Sequence, residues 1–145
     1  MTLRRKISLL LVLTALTAGC TSQADVSPGI TRMDVKAAVV EEIDPGTCYG
    51  MPGAVSDEMV QDHIESRPEL AGYVRENYNL TDERQVYSRM KQFEAVTLNR
   101  TDSGYSFQVR DGNCCTITTV TGSVEPEAEG LNLTVENRSS RNVPC

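Results

Sequence analysis

"YSFQVRDGNCCTITTV", residues 105–120, decides how this chain folds. Tyr105, Phe107 and Val109 alternate with Ser106, Gln108 and Arg110, the period of two that a half-buried strand requires. Ile117 and Val120 resume the apolar series beyond the turn signal Asp111-Gly112. The same period recurs on both sides: Val96 and Leu98 precede it, and Leu131, Leu133 and Val135 follow. Asp102-Ser-Gly104 provides another short Gly-bearing turn. Four strands in sequence joined by short turns predict an antiparallel meander.

Register within the meander turns on the adjacent cysteines. Neighbours on a strand point to opposite faces, so Cys114 and Cys115 cannot both enter a core. A three-residue turn Arg110-Asp111-Gly112 sets Phe107 opposite Cys115 and Tyr105 opposite Ile117, keeping the apolar set together. That register predicts Cys115 inward and Cys114 outward.

Upstream the period lengthens. Ser56, followed by Asp57 and Glu58, is a helix start, with Val55 and Val60 placed as a hydrophobic staple. Met59, Val60, His63 and Ile64 then share a side, and the helix should end near Arg67. Ser66-Arg-Pro-Glu69 repeats the start signal with a capping box, and Leu70, Tyr73, Val74 and Tyr78 form the apolar side of a second helix. Thr81-Asp-Glu opens a third, with Val86, Tyr87 and Met90 inward. In residues 32–43, Met33, Val35, Ala37 and Val39 alternate with polar neighbours and argue a half-buried strand, although Val35, Ala38, Val39, Glu42 and Ile43 also fit a helical face. The class expected is α+β, with short helices packed on one face of an antiparallel β-meander. A strand at 32–43 would give the order of cystatin-like folds, an analogy of topology that says nothing about function.

The N-terminus is organised differently. Arg4, Arg5 and Lys6 precede an apolar run, residues 7–16, and small residues lead to Cys20. This is the layout of a secretory signal peptide, and its apolar part is short for a spanning helix. Its end, Leu16-Thr17-Ala18-Gly19-Cys20, resembles the lipobox of prokaryotic membrane lipoproteins. The resemblance covers residues 1–21 only, and Thr17 stands where Leu is usual. It implies that residues 1–19 are removed and that Cys20 receives a diacylglycerol on sulfur, with palmitate-type acyl chains, as the new N-terminus. In an envelope with two membranes, the absence of Asp at position 21 implies transfer to the outer one. Two or more acyl chains, at about 0.8 kcal/mol per buried methylene, hold a protein stably on a cell membrane. Residues 20–30, broken by Pro28 and Gly29, read as a lipidated foot and flexible tether, leaving 31–145 as one domain outside the cytoplasm.

Composition narrows the partners. The chain has 145 residues with 14 Lys and Arg against 20 Asp and Glu; without Arg4, Arg5 and Lys6, eleven bases face the same twenty acids. No cluster of Lys and Arg follows residue 6, so nucleic acid is not an expected partner. A basic envelope protein or a cationic ligand suits the charge. With no Trp and two Phe the apolar content is modest, and small cores often need covalent support.

That support is available. Once lipid takes Cys20, Cys48, Cys114, Cys115 and Cys145 remain, an even number in an exported chain, which reads as two disulfides. Three connectivities exist. A direct Cys114–Cys115 bridge needs a strained ring within a strand; the other two join Cys48 and Cys145 to the pair, each stabilising by roughly 3 to 4.5 kcal/mol in the chain-entropy picture. The competing reading gives Cys114 and Cys115 a thiol-redox or soft-metal role, although no Cys-x-x-Cys spacing is present.

Other chemistry is sparse. Met59 and His63, four apart on one helix, are the candidate soft-metal ligands, and His63 is the only histidine. No Gly-x-Ser-x-Gly, phosphate-cradling loop or His-Glu-x-x-His occurs, so no catalytic residue is assigned and no cofactor is expected. Asn79, Asn99, Asn132 and Asn137 each open an Asn-x-Ser/Thr sequon. Seven Asn in a chain about one-sixth Ser and Thr would give roughly one by chance. The expectation is therefore a lipid-anchored envelope protein with a non-catalytic binding domain, the sequons marking it as a glycoprotein wherever its envelope is N-glycosylated.

Overall fold

The computed structural model describes residues 29–46, 55–113 and 115–144, the side chain of Asn113 excepted. Four helices are followed by four strands: α1 (Arg32–Ile43), α2 (Asp57–Glu65), α3 (Pro68–Tyr78), α4 (Glu83–Glu94), then β1 (Val96–Arg100), β2 (Tyr105–Asn113), β3 (Thr116–Glu127) and β4 (Gly130–Asn142). The strands form one antiparallel sheet in the order β1-β2-β3-β4. The fold is α+β, a helical layer on an antiparallel meander.

Local signals explain where most elements begin. Ser56 Oγ accepts from Met59 N at 3.2 Å and Asp82 Oδ1 accepts from Gln85 N at 2.9 Å, each relieving an orphan N–H of a helix's first turn. The junction of α2 and α3 departs from expectation. Ser66 closes α2, its hydroxyl donating to the His63 carbonyl at 2.8 Å, and α3 starts with Pro68 behind Arg67, which supplies no side-chain cap. The two helices abut so closely that one hydroxyl cannot serve both ends, and Pro68, having no N–H, lessens what α3 needs there.

Residues 32–43 are a helix, not the half-buried strand that their alternation suggested, and the order on which the cystatin analogy depended is absent. Thr31 and Asp34 form a reciprocal capping box, with Thr31 N donating to Asp34 Oδ2 at 2.7 Å and Asp34 N to Thr31 Oγ1 at 3.2 Å. Val35, Val39, Val40 and Ile43 line one side at helical spacing and are buried. Alternation in Met33, Val35, Ala37 and Val39 coincided with that stripe, and the cap together with the helical packing prevails over it.

The register of the central hairpin also differs from expectation. Tyr105 pairs with Val124, Phe107 with Gly122 and Val109 with Val120, while Gly112 stands within the ladder opposite Ile117. Asn113 pairs with Thr116, so the connection falls to residues 114 and 115 rather than to Arg110-Asp111-Gly112. Cys115 is therefore exposed in a turn and does not point into the core; Cys114 lies outside the described residues. The register follows the buried set, because Val120, Gly122 and Val124 present a continuous inner face to Tyr105, Phe107 and Val109, whereas Ile117 falls on the outer face.

A single cluster makes the core. Val35, Val39, Val74, Val86, Met90 and Phe93 from the helices meet Val96, Leu98, Phe107, Val109, Val120 and Val124 from the sheet. Leu131 and Leu133 of β4 are half-buried against it. The opposite face of the sheet carries no packed element among the described residues; Thr97, Asn99, Gln108, Asn132, Thr134 and Asn137 on it are exposed.

Candidate functional site

A dense group of ionisable side chains lies where α2 meets α4. Glu94, the last residue of α4, places Oε1 3.0 Å from His63 Nε2 and 2.8 Å from Arg67 Nε, and Oε2 2.7 Å from Lys91 Nζ. Arg67 Nη1 stands 3.4 Å from His63 Nδ1 and donates to Ser66 Oγ at 2.8 Å. The His63 ring also meets Tyr87 edge-on at 4.9 Å. Facing groups specify the tautomer, with the proton on Nε2 towards the carboxylate and Nδ1 towards the guanidinium. Nε2 and Oε1 are both buried and neither completes a hydrogen bond, so their 3.0 Å approach is an electrostatic contact.

His63 is neutral by environment. Its side chain is only 14 % exposed, and burial lowers its pKa below the usual value of 6.5. Glu94 opposes that shift, while Arg67 and Lys91 reinforce it. Chemically this is a packed imidazole with both nitrogens facing charged partners. Met59, its proposed co-ligand one turn earlier on α2, is 53 % exposed, whereas the His63 side chain is largely enclosed. No group of three or more His, Cys, Asp or Glu able to hold a metal occurs among the described residues.

A second polar group binds α1 to α3 and α4. Tyr73 OH donates to Asp34 Oδ1 at 2.8 Å and Tyr78 OH to Glu41 Oε1 at 3.3 Å. Both tyrosine rings approach Phe93 edge-on, at 5.8 and 6.0 Å, and the Arg89 guanidinium lies 4.5 Å over the Tyr78 ring. Burial, then the bond to Asp34, raises the Tyr73 pKa; burial and Glu41 push Tyr78 up to about 12. Asp34 moves the opposite way, lowered chiefly by its bonds from Thr31. These phenols are fixed donors at physiological pH and serve packing.

Open clefts flank the helices. One of about 380 Å³ is lined by Met33, Ser66, Arg67, Pro68, Glu69 and Leu70, another of about 360 Å³ by Leu80, Gln85, Ser88, Arg89 and Gln92. Neither is lined by His63. No family model, curated protein or solved structure matches this chain.

Two segments are fastened at the Cys115 end of the long hairpin. Gly112 N donates to Gly46 O at 3.1 Å and Gly46 N to Asp111 Oδ1 at 2.7 Å, fastening the segment after α1 to β2. Val143 N donates to Cys115 O at 2.9 Å, fastening the end of the chain to the same turn. Cys115 is disulfide-bonded. Cys20, Cys48, Cys114 and Cys145 lie outside the described residues, as do residues 1–28, on which the expected signal and most of the expected tether fall.

All four sequon asparagines are exposed. Asn79 caps the C-terminus of α3 in the left-handed conformation, φ 51°, its N–H bonded to the Arg75 carbonyl. Asn99 lies on β1, and Asn132 and Asn137 lie on β4. That three of them share one face was not readable from spacing, because the bulge in β4 shifts its alternation.

Proposed function

We propose that this chain is a lipid-anchored cell-envelope protein whose α+β domain binds a partner or ligand without catalysis. The observation that carries the reading is the run from Arg4 to Cys20, basic then apolar then Ala-Gly-Cys, standing a short tether ahead of a helical cap at Thr31. The state of the one histidine supports the non-catalytic half. A general base must be free to accept a proton from a substrate or nucleophile, and His63 is packed between Glu94, Arg67 and Tyr87. The acidic balance of the chain favours a basic protein or cationic ligand as the partner.

The experiment is Cys20→Ser. The wild-type chain should fractionate with membranes carrying the added mass of acyl chains, and the variant should be recovered in the soluble fraction. A variant that still pellets with membranes refutes the anchor.

A second reading has one observation in its favour. A thiol-redox role for Cys114 and Cys115 draws on the exposure of Cys115 in a turn, since accessible disulfides are the more readily reduced. Alkylation of the denatured protein without reductant separates the two readings: two or more free thiols in the protein as isolated favour redox chemistry, and none favours structural bridges.

A further inference from the structure

We infer that Asn99, Asn132 and Asn137 carry N-linked glycans, which stand together on the open face of the sheet. The inference rests on the chain being exported, as proposed above.

The sheet brings together what is distant in sequence. Asn99 follows the buried Leu98 and pairs with Ser106, so it points away from the core. Asn132 lies between the half-buried Leu131 and Leu133 and pairs with Glu125 on the outer face. Asn137 reaches that face only through an irregularity. Val135 pairs with Gly122 and Asn137 with Thr121, so the ladder passes over Glu136 at the bulge between Thr121 and Gly122. Without the extra residue, alternation would turn Asn137 towards the helical side.

Sequon geometry is preserved along with exposure. On a strand, residues two apart share a face, so Thr134 accompanies Asn132 and Ser139 accompanies Asn137, both exposed. Thr101, the partner of Asn99, lies just beyond β1, exposed in the turn held by Thr101 N to Gly104 O at 3.0 Å. An enzyme that must read the amide and the hydroxyl together meets both from one side.

Placement within the sheet is equally selective. β1 and β4 are its two edges, while the central strands β2 and β3 carry no sequon. β4 runs for 13 residues with one side unpaired, the kind of edge that invites association with another chain. Bulky hydrophilic groups beside both edges oppose such pairing.

The chemistry requires a polyprenyl-linked saccharide phosphate as donor and an envelope oligosaccharyltransferase as catalyst. The asparagine Nδ2 forms a bond to the anomeric carbon, the bond from that carbon to the phosphate oxygen breaks, and the lipid phosphate leaves with the electron pair. One amide proton passes to a base.

The test uses the full chain produced in its own organism and recovered from membranes. Intact mass should show saccharide additions, and proteolytic peptides should place them on Asn99, Asn132 and Asn137. Each of Asn99→Gln, Asn132→Gln and Asn137→Gln should lose one saccharide mass, as should Thr101→Ala, Thr134→Ala and Ser139→Ala, which keep the asparagines. A membrane-recovered chain with any of the three asparagines unmodified, or with sugar on Asn79 alone, overturns the inference while leaving the anchor intact. An unmodified chain found only in the cytosol overturns both.

Discussion

Glu94 holds two cations and an imidazole within 3.0 Å on an exposure of 24 %, and that arrangement governs how acid acts on the fold. Arg67, Lys91 and Tyr87 are the other groups facing His63. Its pKa is lowered in the folded protein, so the unfolded chain takes up a proton first as pH falls through 6.5. The contribution to stability is therefore complete above the unfolded value, declines below it, and is lost once pH has passed the folded value. Thermal unfolding followed between pH 7.5 and about 5 should show a falling midpoint, and His63→Gln should flatten that slope. An unchanged slope in the variant would show that other groups carry the dependence. One residue earlier in α4, the Phe93 carbonyl accepts from Lys36 Nζ at 3.0 Å, which satisfies an orphan acceptor at the end of the helix.

At the scale of elements, capping patterns were legible because they act over four residues of chain. Ser56 with the acidic pair after it, and the run Thr81-Asp-Glu, marked the starts of α2 and α4 before any contact was known; the structure makes Asp82 the cap of α4. Thr31-Arg-Met-Asp34 carried the same type of signal for α1, hidden beneath an alternation that also resembled a strand. Thr31→Ala should destabilise the domain by about 1 kcal/mol in denaturant unfolding, with little change in the slope. Strand register was less legible, since it depends on which inner faces meet. Gly122 shows how tight that fit is: a Cβ there would strike the Thr134 carbonyl oxygen and come within 2.6 Å of the Phe107 ring. Gly122→Ala should cost about 2 to 3 kcal/mol in the same experiment, more than an Ala substitution at the open Gly72, where a Cβ meets nothing within 4 Å.

Across the described residues, a helical layer and a sheet bury one cluster between them, and none of these residues packs an element on the other sheet face. The long β2–β3 hairpin ends beside Gly46 and Val143, two residues short of Cys48 and Cys145 respectively. A bridge from Cys115 to a cysteine distant in sequence closes a long loop of the unfolded chain and so restricts it. Mild reduction should accordingly lower stability by roughly 3 kcal/mol. Urea unfolding with and without reductant measures it; equal midpoints would show that the Cys115 bridge contributes nothing to folding.

The sequence by itself determined the period-two strands from Val96 onward, the caps of α2 and α4, the acidic balance and the lipobox-like run to Cys20, since each is written in a few neighbouring residues. Only the tertiary structure decided that residues 32–43 are helical, that Phe107 faces Gly122, that His63 packs against Glu94 and Tyr87, and that Asn137 joins Asn99 and Asn132 on one face. Those outcomes depend on which apolar faces can be buried together. Such burial joins residues far apart in the chain, and local spacing carries no measure of it.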